Sequence, residues 1–178
     1  LQEVSEIAVI VRGEGEATIL DLIQAWEKDG ELDLVPGIAW RKGGEITVNR
    51  PQPAIQNLDS HRPGWELLEW ENYQMFGFDR AAGMQFSRGC TLTCSYCGQW
   101  LFWKKWRHRS PENVVKNMKL LKEKYGVRLI WFADENFAAD RELARELLER
   151  IVEADLGLSL NLNMTAADVA RCGFASTV

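Results

Sequence analysis

The sequence has no long apolar run. Its longest stretches, "IAVIV" at residues 7–11 and "LIWF" at 129–132, fall far short of the roughly 20 residues that a membrane-spanning helix needs. No basic-then-apolar leader opens the chain. Positive charge is in deficit, with 21 Lys and Arg against 26 Asp and Glu and a net charge of −5. Such a balance argues against the broad basic surface of a nucleic-acid binder. Cysteine is scarce: there are four, and Cys90, Cys94 and Cys97 lie close together. That is not the even spread of a secreted disulfide framework. Clustered thiols in a soluble chain read as metal ligands in a reducing compartment, which places the protein in the cytoplasm. Histidine is scarcer still, with His61 and His108 alone. No fixed-period repeat or low-complexity tract is present.

What remains is ordinary globular composition, 46% hydrophobic and 26% charged over 178 residues, enough for one domain or parts of two. The chain begins without Met and ends in "RCGFASTV", which closes no element. A piece of a longer protein is therefore expected.

Residues 4–12, "VSEIAVIVR", read as a strand buried on both faces, as in a parallel sheet. "GEGE" turns the chain into a helix over 16–28, with Ile19, Leu20, Leu22, Ile23 and Trp26 on its apolar side. Asp29-Gly30 ends it. In "GIAWRKGGEITVNR" (37–50), Gly43-Gly44 between two short alternating runs signals a tight hairpin. Pro51, Pro53, Pro63 and Gly64 mark a domain boundary, and "GWELLEW" reads as a short helix. The expected organisation is 1–50, a linker over 51–82, and 83–178.

The second region alternates strand and helix. "GMQFSRG" (83–89) reads as a strand. Ser110-Pro111 caps a helix that carries Val114, Met118, Leu121 and Tyr125 inward and stops at Gly126. "VRLIWFA" (127–133) is a second strand. Asp140 caps a helix to about Ala154, with Leu143, Leu147, Leu148 and Ile151 inward and Glu146 paired to Arg150. Gly157 ends it, and "LSLNLNM" (158–164) is a third strand. Such alternation implies βαβ units, a parallel sheet and right-handed crossovers.

Cys90, Cys94 and Cys97 form C-x3-C-x2-C at the carboxyl end of the first of these strands, where α/β folds place ligand sites. Thiolates hold iron–sulfur clusters, and three of them leave one iron open. Other readings of the same residues stand beside this one. A zinc site needs four ligands, with His108 or Cys172 as the fourth. Cys94 and Cys97 alone would make a redox pair at a helix start. A non-catalytic metal-binding module is the corresponding alternative in function. Cys172 reads as an ordinary buried cysteine. Trp100, Trp103 and Trp106 recur every third residue and share a face on a helical turn. They suit core packing or a large flat ligand. Lys104, Lys105, Arg107 and Arg109 suit phosphates or carboxylates. His61 and His108 read as surface or supporting histidines.

C-x3-C-x2-C with an aromatic, Tyr96, before its last cysteine resembles the radical S-adenosyl-L-methionine (radical SAM) enzymes. The resemblance implies a [4Fe-4S] cluster on Cys90, Cys94 and Cys97, with S-adenosyl-L-methionine chelated at the open iron. Its reductive cleavage gives a 5′-deoxyadenosyl radical that abstracts hydrogen. It implies that Tyr96 packs near the adenine and that Asp134 and Glu135 of "ADENF" lie near the methionine end, although the strict Gly-Gly-Glu form is absent. Asn161 and Asn163 would face the barrel interior and its cofactor.

The amino-terminal segments "VRGEGEATILDLIQA" and "NLDSHRPGWELLEWENY" resemble the end of a cobalamin-binding domain and its linker in the cobalamin-dependent subgroup. The resemblance implies that cobalamin is bound mostly by a region upstream of these segments. The implied fold is α/β: the C-terminal part of a Rossmann-like cobalamin-binding domain, followed by the first three β/α units of a partial radical SAM TIM-like barrel. "RGCTLTCSYCGQWLFWKKWRHRSPENVV" with "LLEWENY" is most similar to the anaerobic tetrapyrrole cyclases of bacteriochlorophyll biosynthesis. That implies a tetrapyrrole substrate and a ferredoxin or flavodoxin as electron donor. Cobalamin-dependent radical methylases are the neighbouring possibility.

Overall fold

The computed structural model describes residues 1–28 and 30–172, without the side chains of Arg171 and Cys172. Asp29, expected to help stop the first helix, the side chain of Cys172 and the tail 173–178 lie outside the described residues. The chain divides into two compact units, Leu1–Gln56 and Asn57–Val178.

In the first unit, β1 (Val9–Val11), β2 (Ile38–Lys42) and β3 (Glu45–Val48) form a three-stranded sheet in that order. Both pairings are antiparallel. This corrects the expectation of a long parallel-type strand over 4–12. Only three residues pair, because their partner is the following hairpin, and Ile10 stays 38% exposed. The hairpin itself forms as its glycines require. Lys42 faces Glu45 across Gly43 and Gly44, whose φ values are +60° and +94°, the left-handed pair of a tight turn.

Helix α1 (Gly15–Glu27) forms where its periodicity places it. Its apolar side is a second correction. Leu22 packs with Val35 and Ile38, but Ile19, Leu20, Ile23 and Trp26 are 43%, 59%, 45% and 69% exposed. A three-stranded sheet covers too little of a helix to bury so wide a stripe.

In the second unit, β4 (Ala81–Met84), β7 (Leu129–Phe132) and β8 (Ser159–Asn161) form a parallel sheet in the order β4-β7-β8. Between β4 and β7 come β5 (Ser87–Arg88), α2 (Gln99–Trp103), β6 (Arg107–His108) and α3 (Pro111–Tyr125). Then α4 (Arg141–Ala154) joins β7 to β8, and α5 (Ala166–Cys172) follows. The helices bury one face of the sheet: Met118, Leu121, Ile130, Phe132, Phe137 and Leu147 lie at the centre of the core.

Local signals account for the helix ends. Ser110 Oγ accepts the Asn113 N–H at 3.2 Å, and Pro111 opens α3. Gly126 closes it at φ +67°. Asp140 Oδ1 accepts the Leu143 N–H at 3.1 Å. Arg150 Nε donates to Glu146 at 2.9 Å. In α4, Leu147 is fully buried, and Leu143, Leu148 and Ile151 pack against the core as expected.

Four boundaries differ from the expected ones. "GWELLEW" forms two 3-10 turns, Trp65–Leu67 and Trp70–Asn72, not one helix. Leu68 is extended between them (φ −93°, ψ 136°), which lets both Trp65 and Trp70 reach the core. The strand expected over 83–89 breaks at Gln85-Phe86 into β4 and β5. The strand expected over 127–133 keeps only Leu129–Phe132, while α4 ends at Ala154 as expected, stopped by Asp155, left-handed at φ +43°, ahead of Gly157. The last strand keeps only Ser159–Asn161. Among the described residues, no helix is long and apolar enough to cross a membrane.

Candidate cluster-binding site

The break after β4 makes the site. Ala133 N–H still donates to Met84 O at 2.8 Å. The next amides, of Phe86 and Ser87, donate instead to the carboxylate of Asp134 at 3.0 and 2.6 Å. The strand therefore leaves the sheet, and β5 pairs antiparallel with β6: Ser87 faces His108 and Arg88 faces Arg107. This ribbon closes the base of the loop that carries the cysteines.

Gly89 stands at the loop's entry with φ +91°, and a Cβ there would lie 2.6 Å from Lys105 O. Only glycine allows the outgoing and returning backbones to approach so closely. Cys90, Cys94 and Cys97 follow, all partly exposed and none in a disulfide. Leu92 N–H donates to Cys90 Sγ at 3.4 Å, and Cys97 N–H closes a turn on Cys94 O at 3.0 Å. Among the described residues, no three His, Cys, Asp or Glu side chains stand together closely enough to hold a metal ion. The donor set nevertheless suits an iron–sulfur cluster: three free thiols on one loop, with a backbone N–H directed at a sulfur. Tyr96, expected against an adenine, is 92% exposed beside them.

The tryptophans do not share a helical face. Helix α2 stops at Lys104, left-handed at φ +59°, so Trp106 lies beyond it. Trp103 lies under the Arg88 guanidinium at 5.5 Å, and Trp106 stacks on His108 at 5.1 Å. The basic cluster is also dispersed, a further correction. Arg107 and Arg109 are buried, and Arg109 donates to Leu58 O at 2.7 Å and His61 O at 3.1 Å. Burial commits them to the fold and leaves Lys104 and Lys105 exposed. His108 Nδ1 donates to Arg109 O at 2.9 Å.

Asp134 and Glu135 part company. Asp134 is buried and accepts a third hydrogen bond from Ser87 Oγ at 2.6 Å, so both of its carboxylate oxygens are engaged by Phe86 and Ser87. Burial pushes its carboxyl up to about 6, against the lowering effect of Ser87 and Phe86. Glu135 is exposed. Gly83, Trp131 and Asn161 are in register across β4, β7 and β8 and so share one sheet face. That face is open, with Trp131 37% exposed. Asn163 Nδ2 lies 3.5 Å from Asp134 O, and its own carbonyl accepts the Phe137 N–H at 2.8 Å.

One group escaped the sequence reading. Asn136, two positions after Asp134, is buried against Asp168, which comes 32 residues later. Arg141 and Thr165 also donate to Asp168, at 2.8 and 2.6 Å. The only sequence signal was its position in "ADENF", where the neighbouring acids drew attention.

A parallel β/α array with a three-thiol loop at the carboxyl end of its first strand defines a class. Residues 84–172 match the Radical SAM superfamily, and the chain belongs to that superfamily. The chain is 40% identical over 93% of its length to the anaerobic magnesium-protoporphyrin IX monomethyl ester cyclase of Synechocystis sp., covering 33% of it. It is 34% identical over 89% of its length to an uncharacterised methyltransferase of Pyrococcus horikoshii, covering 35% of that protein. Among solved structures, the radical S-adenosylmethionine methyltransferase TsrM from Kitasatospora setae, with tryptophan substrate and a cofactor analogue bound, superposes with a TM-score of 0.72. The identity is 19%, over 89% of this chain and 33% of that one. The chain thus spans about a third of the length of these relatives.

Proposed function

We propose that the full-length protein is a cobalamin-dependent radical SAM oxidative cyclase. It would close the isocyclic ring on magnesium-protoporphyrin IX monomethyl ester without oxygen. The observation that carries this reading is the loop of three free thiols, Cys90, Cys94 and Cys97, at the end of the first parallel strand. The 40% identity to the Synechocystis sp. cyclase over 93% of the chain supports the choice of substrate.

In this reading the thiolates of Cys90, Cys94 and Cys97 would hold a [4Fe-4S] cluster, and the chemistry it would supply when bound is one-electron reduction of S-adenosyl-L-methionine. Gly89 and the β5–β6 ribbon hold the loop's ends together. Tyr96, exposed in the cysteine loop, would pack against the adenine, and Glu135, Asn161 and Asn163 would offer polar groups to the cofactor. Residues 1–50 form the end of a cobalamin-binding domain, 51–82 a linker, and 83–178 the start of the barrel. A ferredoxin or flavodoxin supplies the electron, in the cytoplasm.

A second reading, a cobalamin-dependent radical methyltransferase, is favoured by the 34% identity to the Pyrococcus horikoshii methyltransferase. Product analysis decides between them. The anaerobically reconstituted full-length enzyme is given S-adenosyl-L-methionine, reductant and magnesium-protoporphyrin IX monomethyl ester. Ring closure without added methyl supports the cyclase; a methylated product supports the second reading.

A further inference from the structure

Two indole groups that follow the cysteines keep buried donors without a partner. The Nε1 atoms of Trp103 and Trp106 are both shut off from solvent, and neither has a hydrogen-bond partner. A buried donor left unpaired costs free energy. An ion or redox group that the site takes up is one ordinary reason for a protein to keep such a donor.

Trp103 is the one placed at the loop's entry. A Cβ on Gly89, the residue before Cys90, would lie 3.2 Å from Trp103 Cβ. The Arg88 guanidinium lies over the indole ring at 5.5 Å. Neighbours on two sides thus hold this indole at the Cys90 end of the loop. Trp106 is engaged elsewhere, stacked on His108 of the β5–β6 ribbon. The thiols of Cys90, Cys94 and Cys97 do not stand together in a metal-holding group, so the loop regroups when it takes up a cluster. The ribbon pins that movement at Arg88 and Arg107, and Trp103 lies between the two.

We propose that the Trp103 indole N–H donates to a sulfur at the Cys90 corner of the iron–sulfur cluster and so raises the cluster's reduction potential. The proposal rests on the radical SAM reading of the three cysteines. Hydrogen bonds to the sulfurs are among the levers that set such a potential. A reduced cluster carries one more negative charge than an oxidised one. A donor aimed at its sulfur therefore stabilises the reduced form more, because a hydrogen bond strengthens with charge on the acceptor.

A redox titration followed by electron paramagnetic resonance, on the anaerobically reconstituted full-length protein without S-adenosyl-L-methionine, tests it. Trp103→Phe keeps a ring beside Gly89 and removes the N–H. It is expected to lower the equilibrium constant for reduction about tenfold, or roughly 59 mV for a one-electron couple. Trp103→Leu is expected to give the same shift, because both variants lose the N–H although only the second loses the ring. Trp106→Phe is expected to leave the potential unchanged. In pulsed spectra the reduced cluster should show a proton coupling that exchanges in heavy water and is missing from Trp103→Phe.

A normal cluster with an unchanged potential in Trp103→Phe overturns the proposal and leaves the radical SAM reading standing. So does a shift seen only in Trp103→Leu, which assigns the effect to packing, or one seen only once S-adenosyl-L-methionine is added. Failure of the unaltered protein to form any iron–sulfur cluster defeats the radical SAM reading, and the proposal with it. Should Trp103→Phe not load a cluster, tryptophan isotopically labelled at the indole nitrogen is introduced into the unaltered protein and into Trp106→Phe. Both should then show a nitrogen coupling to the reduced cluster, and its absence from either is the contrary result.

Discussion

The carboxylate of Asp134, at the end of β7, takes the backbone N–H groups of Phe86 and Ser87 at 3.0 and 2.6 Å. A sheet would otherwise continue at those amides. The same contact that ends β4 thus directs Ser87 and Arg88 into the ribbon beneath the cysteine loop.

This contact is pH-dependent. Burial raises the Asp134 carboxyl from 3.8 to about 6. The folded state therefore holds a proton that the unfolded chain releases, and protonation stabilises the fold. That contribution is fully present below pH 3.8 and is lost as the pH rises through about 6. Calorimetry of the unaltered protein and Asp134→Asn between these limits should show the unaltered protein losing melting temperature relative to the variant as pH rises. Parallel curves would contradict it.

Each cysteine of the loop is expected to be required. Anaerobic reconstitution with iron and sulfide should give a broad absorbance near the visible edge. Cys90→Ala, Cys94→Ala or Cys97→Ala should each abolish it, while the far-ultraviolet circular dichroism stays unchanged. A colourless protein with one zinc per chain would identify a different metal site.

Gly89→Ala tests the loop's base. The new methyl meets Lys105 O at 2.6 Å on a backbone at φ +91°. Strain in such sites costs on the order of 1–3 kcal/mol. A lower melting temperature and reduced cluster loading should appear together, and an unaffected loading would show that the loop does not need this approach.

Helix ends and core give a scale against which those losses are judged. Ser110→Ala removes the acceptor of the Asn113 N–H and should cost about 1 kcal/mol in urea unfolding. Leu147→Ala empties a fully buried position and should cost roughly 2–5 kcal/mol. A smaller effect for Leu147 than for Ser110 would mean that the α4 core site is not packed as described.

Much of the frame was legible because it rests on neighbours in sequence. Ser110-Pro111, Gly126 and Asp140 end helices through bonds that reach three or four residues. Gly43-Gly44 makes its turn with its own φ values. The spacing of Cys90, Cys94 and Cys97 is itself a statement about one short loop, and the family follows from it.

The tertiary structure decided what depends on distant partners. The apolar stripe of α1 reads as buried, yet how much is covered depends on the sheet it meets, and Trp26 remains 69% exposed. Asp134 and Asn136 are two residues apart in one acidic-looking motif. Asp134 turns toward Ser87, 47 residues back, and Asn136 toward Asp168, 32 residues ahead. A side chain's chemistry is written in the sequence; the group that satisfies it is chosen only when the chain brings a buried donor or acceptor within hydrogen-bond distance.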